Sequence, residues 1–422
     1  MSRTLWWVVL ACAIVVPASA APLTLDEALA TVSAPHPDRR VAESDLALAR
    51  ADREQAESRQ DFNLYLDGAL RTGHRPDGDW KPDNMVRIVA RKPLYDFGRT
   101  SQAIAAADQE VAARQSALFN VEGLRRIDLM SRFFDALLAD MQYAADNELM
   151  AVTYIASDNA KKRFEVGQVS QPELMRLEAT FQDVRERRNA GLQRMSSTRQ
   201  KLAHAMNRPG ELPAELADPA LKGNGRAVPD YESLAAWAMQ KNPRILAMQA
   251  QLGAADARVA SLRAENRPTL DAEVIGGGYS RASSTRDDLS TGLVFNIPLY
   301  TGARVDARVA REFALKERIA AELEKLRREV SETLYTSLQE VTWLRDSARG
   351  AADTQIEFRD WMLERARAEY ELELKTNLGA SMAETQLALL RRKQVEYRLA
   401  LALARLEALS GGSLPPVEGA KK

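Results

Sequence analysis

The chain has 422 residues, enough for two or three ordinary domains, with 28% charged residues and a formal net charge of −1. That balance excludes a face built for polyanions, so no nucleic-acid partner is expected. Aromatic residues make up only 6% and the 45% hydrophobic share leans on alanine, which suits long helices or coiled coil rather than a compact globule.

At the N-terminus Arg3 precedes an apolar run, Leu5 to Val16, and Ala18-Ser19-Ala20 follows it. This pattern predicts a signal peptide over 1–20. The run is too short to span a membrane comfortably. Cys12, the only cysteine, lies inside it, and the A-x-A site that follows argues against lipid attachment there. No later run resembles a transmembrane helix, so any membrane contact must come from strands or a surface helix.

The first structural unit is predicted over 21–207. Residues 25–59 read as helix, with Asp26 and Glu27 in the first turn, where carboxylates favour the helix dipole. His36-Pro37 interrupts them; His36 has no second metal ligand at helical spacing and is expected to be a solvated turn residue. A strand at about 61–71 puts Phe62, Leu64, Leu66 and Leu70 on one face and Asn63, Tyr65 and Asp67 on the other. After a polar loop over 72–84, a strand at about 84–95 sets Val86, Ile88 and Ala90 against Arg87 and Arg91. A helical hairpin fills about 98–207. Its outgoing helix runs for about seventy residues, or roughly 100 Å at 1.5 Å per residue. Leu124, Ile127, Phe134, Leu138, Met141, Leu149, Val152 and Ile155 form its coiled-coil-like stripe. Ser170, Pro172 and Glu173 restart the return helix with a cap.

Residues 208–229, with four prolines and three glycines, form a linker. The second unit, 230–412, repeats the plan. Its helices break at Asn242-Pro243, and strands follow at about 268–281 and 289–300. A second hairpin spans about 303–412, with Val330, Leu334, Leu338, Val341 and Leu344 in its stripe and a turn near Lys375. Residues 413–422 are expected to be a disordered tail.

One phrase ties the halves together. Pro93-Leu94-Tyr95-Asp96-Phe97-Gly98-Arg99 returns as Pro298-Leu299-Tyr300-Thr301-Gly302-Ala303-Arg304. The prolines are 205 residues apart, and a spacing of 206 puts His36-Pro37 on Asn242-Pro243, Leu64 on Leu270 and Phe164 on Tyr370. A register kept through strands and loops points to one supersecondary unit duplicated within the chain. Both phrases stand where a strand hands over to a long helix. Pro93, Tyr95, Gly98, Pro298, Tyr300 and Gly302 are therefore the expected junction residues, with the glycines permitting the turn.

Nothing in the sequence suggests an enzyme. His36, His74 and His204 are scattered over a kink, a loop and a helix end, and none sits with a carboxylate or serine in a catalytic arrangement. Gly276-Gly277-Gly278 lies inside a strand, where a bend or close packing explains it. No catalytic residue, cofactor or metal site is expected.

Four two-faced strands cannot close a barrel, and open edges cannot face lipid. Two copies would give eight strands and a filled interior; three would give twelve and leave a lumen. The polar face (Asn63, Asp67, Arg87, Arg91, Asp271, Glu273, Asn296) suits water. The alternative is a soluble periplasmic coiled-coil adaptor or scaffold, which shares the helical hairpins but needs no lipid-facing strands.

Across nearly all of the length beyond the signal, the chain resembles the TolC-type outer-membrane efflux channels. The resemblance is carried by Leu25-Asp26-Glu27-Ala28-Leu29, Asn242-Pro243, the two Pro-Leu-Tyr phrases and Arg163-Phe164-Glu165-Val166-Gly167. It implies a mainly α fold with a β part: a homotrimer with a twelve-stranded barrel in outer-membrane lipid, four strands per chain, continuous with a periplasmic α-helical barrel. It implies docking to a periplasmic adaptor and an inner-membrane transporter, in efflux of drugs or metals or in type I secretion of protein. In that family the hairpin turns form a periplasmic gate. The matching gate residues here are Tyr370, Lys375 and Glu173, with Arg163, Phe164 and Gly167 as adaptor contacts. Gly379 and Met382 stand where some relatives carry a carboxylate ring, so this chain is expected to lack that ring; Glu371, Glu373 and Glu384 do not align with it.

Overall fold

The computed structural model describes residues 22–74, 78–213, 215–280, 286–372 and 378–416. The signal segment, Cys12, Glu373, Lys375 and the end of the tail lie outside them. The chain divides into two compact units, each drawn from several separated stretches, which cut across the sequence halves.

One unit holds 33–128, 222–358 and the chain from 391 onward. It contains the sheet. Strands β1 (Asn63–Ala69), β4 (Met85–Tyr95), β5 (Thr269–Tyr279) and β6 (Leu289–Asn296) pair antiparallel in the order β1-β4-β5-β6. Two short strands, β2 (Thr72–His74) and β3 (Trp80–Pro82), pair with each other inside what reads in sequence as a polar loop. Strand β6 stops at Asn296, so Pro298 and Tyr300 lie beyond it, whereas Pro93 and Tyr95 are within β4.

Helices α2 (Pro37–Glu57) and α6 (Pro243–Arg263) are both 21 residues long, and both lead through a three-residue 3₁₀ turn toward a strand. Each begins on a proline behind a side-chain cap, where the missing N–H costs nothing. His36 is that cap for α2: its Nδ1 accepts the Asp38 N–H at 3.2 Å. It is therefore a half-buried capping residue and not a fully solvated one. Burial, with Arg125 nearby, holds its imidazole below the ordinary histidine pKa and favours the neutral acceptor.

The same unit contains α5 (Tyr231–Lys241) and α7 (Arg304–Trp343), with the first part of α3 (Arg99–Glu165). Ile245, Leu326, Val330, Leu334, Val341, Leu344, Leu399, Leu403 and Leu406 form its core. Each such buried leucine contributes about 1.5–3 kcal/mol. Leu414 packs on this core, so the start of the predicted tail is ordered.

The second long helix is not continuous. Leu344–Ala348 widen into a single π-turn between α7 and α8 (Arg349–Glu371). Arg345 in that turn donates to the carbonyls of Asn224 (2.9 Å) and Arg226 (2.6 Å), and Arg226 pairs with Glu407.

The other unit holds the chain before 33, with 129–221 and 359–390. It contains α1 (Leu25–Ala30), the remainder of α3, α4 (Gln171–Ala205) and the first part of α9 (Leu378–Leu409). Thr24 and Glu27 close a capping box on α1. The core stripe of α3 here is Leu129, Met130, Phe133, Phe134 and Leu137; of the expected stripe Phe134 is buried and Ile155 exposed, and Leu124, in the part of α3 that belongs to the sheet-containing unit, is exposed as well. The linker is pinned within this unit: Arg199 chelates Asp140 (2.5 and 2.8 Å) and donates to the Pro213 carbonyl, and Leu23 bridges Leu216.

Candidate functional site

The sheet has two chemically opposite faces. Side chains alternate along a strand, so register assigns each residue to a face. One face carries Leu64, Leu66, Val86, Ile88, Val274, Leu289, Leu293 and Phe295, all exposed. The other carries Tyr65, Asp67, Arg87, Arg91, Asp271, Glu273 and Asn296. Across the ladder Arg87 pairs with Asp67. Arg91 places its Nε 3.0 Å from Glu273 Oε2 and pairs through Nη2 as well. Gly277 makes room for this set: a Cβ there would stand 3.1 Å from Arg87 Cγ and from the Tyr279 hydroxyl. Close packing, not a bend, explains the glycine.

The two junctions differ. At the first, Asp96 accepts the N–H groups of Gly98 (3.1 Å) and Thr100 (2.7 Å), capping α3, while Phe97 (φ 54°) and Gly98 (φ 89°) turn the chain left-handed. Tyr95 and Phe97 meet edge to face at 4.7 Å. At the second, Gly302 (φ 66°) makes the turn, Ala303 supplies no side-chain cap, and Thr301 bonds Asn266 instead. Leu299 and Tyr300 are almost fully exposed. Sequence reasoning found both glycines but not the Asp96 cap, although Asp two residues before Gly98 is a local cue for one.

In the other unit, the first hairpin turn ends α3 in a Schellman motif: Gln168 N–H reaches Arg163 O (2.8 Å) and Gly167 N–H reaches Phe164 O (2.9 Å), with Gly167 at φ 71°. Phe164 and Val166 are exposed there. Ser170 then accepts the Glu173 N–H to start α4. The Glu173 carboxylate is held by Arg176 at 2.6 and 2.9 Å, and this partner lowers its pKa. Within one chain, then, Glu173 is joined to Arg176 and not to Tyr370, which is exposed. Lys375 and Glu373 lie outside the described residues. A Cβ at Gly379 would stand 2.7 Å from Val152 Cγ2, so close packing against α3 holds that position to glycine. Glu384 pairs with Arg359. Among the described residues no cluster of metal-ligating side chains is present, and no helix is long and apolar enough to cross a membrane.

No family model matches the chain. It is 25% identical over 256 residues to the outer membrane efflux protein BepC of Brucella suis, a match covering 57% of this chain and 52% of that protein. The chain thus spans about half the length of the curated relative it matches. Among solved structures, the outer membrane protein VceC of Vibrio cholerae superposes with a TM-score of 0.71 at 16% identity, over 92% of this chain and 96% of that one. The Campylobacter jejuni CmeC outer membrane channel gives 0.74 at 12% identity, over 92% and 86%. The chain has the TolC-type channel fold. The TolC-type fold accounts for the coexistence of a small two-faced sheet and very long helices in one chain.

Proposed function

We propose that this chain is the outer-membrane exit channel of a tripartite efflux or type I secretion system, a passive conduit and not an enzyme. Three copies would join the β6 edge of one chain to the β1 edge of the next and close a twelve-stranded barrel. The helices would continue it as a coiled-coil barrel into the periplasm, where an adaptor and an inner-membrane transporter engage. The carrying observation is the sheet: one face is apolar and exposed, the opposite one carries Arg87–Asp67 and Arg91–Glu273 ion pairs, and both edges are open. Only lipid on one side, water on the other and further strands at the edges satisfy all three. The efflux role of the Brucella relative and the fold neighbours support the same reading. The soluble scaffold is not favoured, because it leaves the apolar face bare.

The two halves are read as copies. Helices α2 and α6, equal in length and 206 residues apart, support this. Arg163, Phe164 and Gly167 remain the candidate adaptor contacts, since the Schellman turn presents Phe164 outward. Fractionation tests the whole reading. The protein should sediment with outer membrane, resist alkaline extraction and run as a heat-sensitive oligomer; release by alkali would end it.

For the gate, Tyr370, Lys375 and Glu173 are proposed to hold the resting state closed. With Glu173 tied to Arg176 inside its own chain, the restraint must reach it from a neighbouring copy or displace that arginine. A Tyr370→Phe, Lys375→Glu double variant should conduct severalfold more than the parent in planar bilayers. Equal conductance removes these residues from the gate.

A further inference from the structure

On the polar face of the sheet the charges almost cancel. Asp67 is joined to Arg87 and Glu273 to Arg91. Asp271 is left over. It shares that face, opposite Pro93 in β4 and Val294 in β6, and neither neighbour can neutralise it. Arg91 stands diagonally across the ladder and attracts Asp271 too, but its Nε and Nη2 hydrogen bonds both go to Glu273. Changing partners would not change the sum. Among the described strand residues, this face has three carboxylates against two guanidiniums, one net negative charge per chain. Lys92 alternates onto the apolar face. Arg267 precedes β5 and lies outside the ladder, so it does not belong to this face of the sheet.

We infer that Asp271 sets the charge selectivity of the conduit. The inference rests on the channel reading above. In a trimer, three copies of Asp271 lie at one height, at the end of the barrel where the strands meet the helices. Fixed charges in a narrow passage with low-dielectric walls concentrate counter-ions, and rings of Asp or Glu select cations in other pores. Asp271 is therefore the residue that favours small cations over anions. The helical tip offers no substitute at Gly379, where Val152 leaves no room for a side chain.

The test is the reversal potential of the full-length protein in planar bilayers under a tenfold potassium chloride gradient, measured at low and high salt. The wild type should prefer potassium. Asp271→Asn should lower the potassium-to-chloride permeability ratio severalfold, Asp271→Glu should keep it, and Asp271→Arg should invert it. The differences should shrink at about 1 M salt, where screening shortens to about 3 Å. Asp271→Asn is near-isosteric, and retention of the heat-sensitive oligomer shows that each variant has assembled. A conducting wild type that prefers chloride, or an assembled Asp271→Asn channel with an unchanged reversal potential, overturns the inference and leaves the channel reading standing. Absence of any wild-type conductance overturns the channel reading itself.

Discussion

Replacing Asn242 with alanine is expected to lower folding stability by about 2–4 kcal/mol, from a lost helix cap and an orphaned buried acceptor together. Asn242 is only 2% exposed. Its Oδ1 accepts the N–H groups of Arg244 (3.0 Å) and Ile245 (3.2 Å), two of the donors that the first turn of α6 cannot satisfy internally. Its Nδ2 donates to the carbonyl of Leu409 (2.9 Å), at the end of α9, where carbonyls lack helical partners. One side chain thus closes the start of one helix and the end of another. Asn242→Ser would keep an acceptor for the cap and lose the donor to Leu409, so its loss should be smaller. His36→Ala, which removes a single accepted N–H at the matching site, should also lose less. Denaturant midpoints of the three variants check the order; an Asn242→Ala loss no larger than that of His36→Ala would refute the double role.

Leu64→Arg should abolish assembly in the outer membrane. Leu64 stands on the apolar face, 63% exposed, and the ladder across Ala90 and Val274 places it near mid-height of the sheet. An arginine at the bilayer midplane of a barrel costs about 2–4 kcal/mol, and a trimer would carry that cost three times. The heat-sensitive oligomer should vanish from the membrane fraction. A soluble scaffold responds in the opposite direction, because the substitution replaces an exposed leucine with a charge and improves solubility. The sign of the change therefore separates the two readings.

Much of this was legible in the residues. Alternation assigned Leu64 and Asp67 to opposite faces correctly, because period two survives whatever the sheet packs against. The long proline-free run after Gly98 forms a helix because nothing in it removes a backbone bond. Three features were hidden for physical reasons. The end of β6 was overrun by four residues, since Ile297 and Pro298 look as strand-like as Val86 or Pro93, and only the missing ladder partner stops the strand. The α3 stripe was right at Phe134 and wrong at Leu124 and Ile155, because an alanine- and leucine-rich helix offers several apolar faces and the neighbouring helix decides which is buried. His36 was read as a turn residue, because its capping role depends on a backbone conformation that its identity does not announce. Glu173 found Arg176, three residues along its own helix, a partner that local spacing alone suggests, while Lys375 lies outside the described residues.

The π-turn at Leu344–Ala348 has a consequence for which face of the helix points inward beyond it. Leu334 and Val341 are buried before it, Leu344 at its start and Ala352 just beyond it. Taking one residue out of a regular α-helix rotates everything that follows by about 100°. The widened loop holds one residue more than an α-turn would, so the inward face of the following stretch is placed by that loop. The π-turn therefore works as a phase-setter: shortening it by one residue would swing Ala352 out of the buried row.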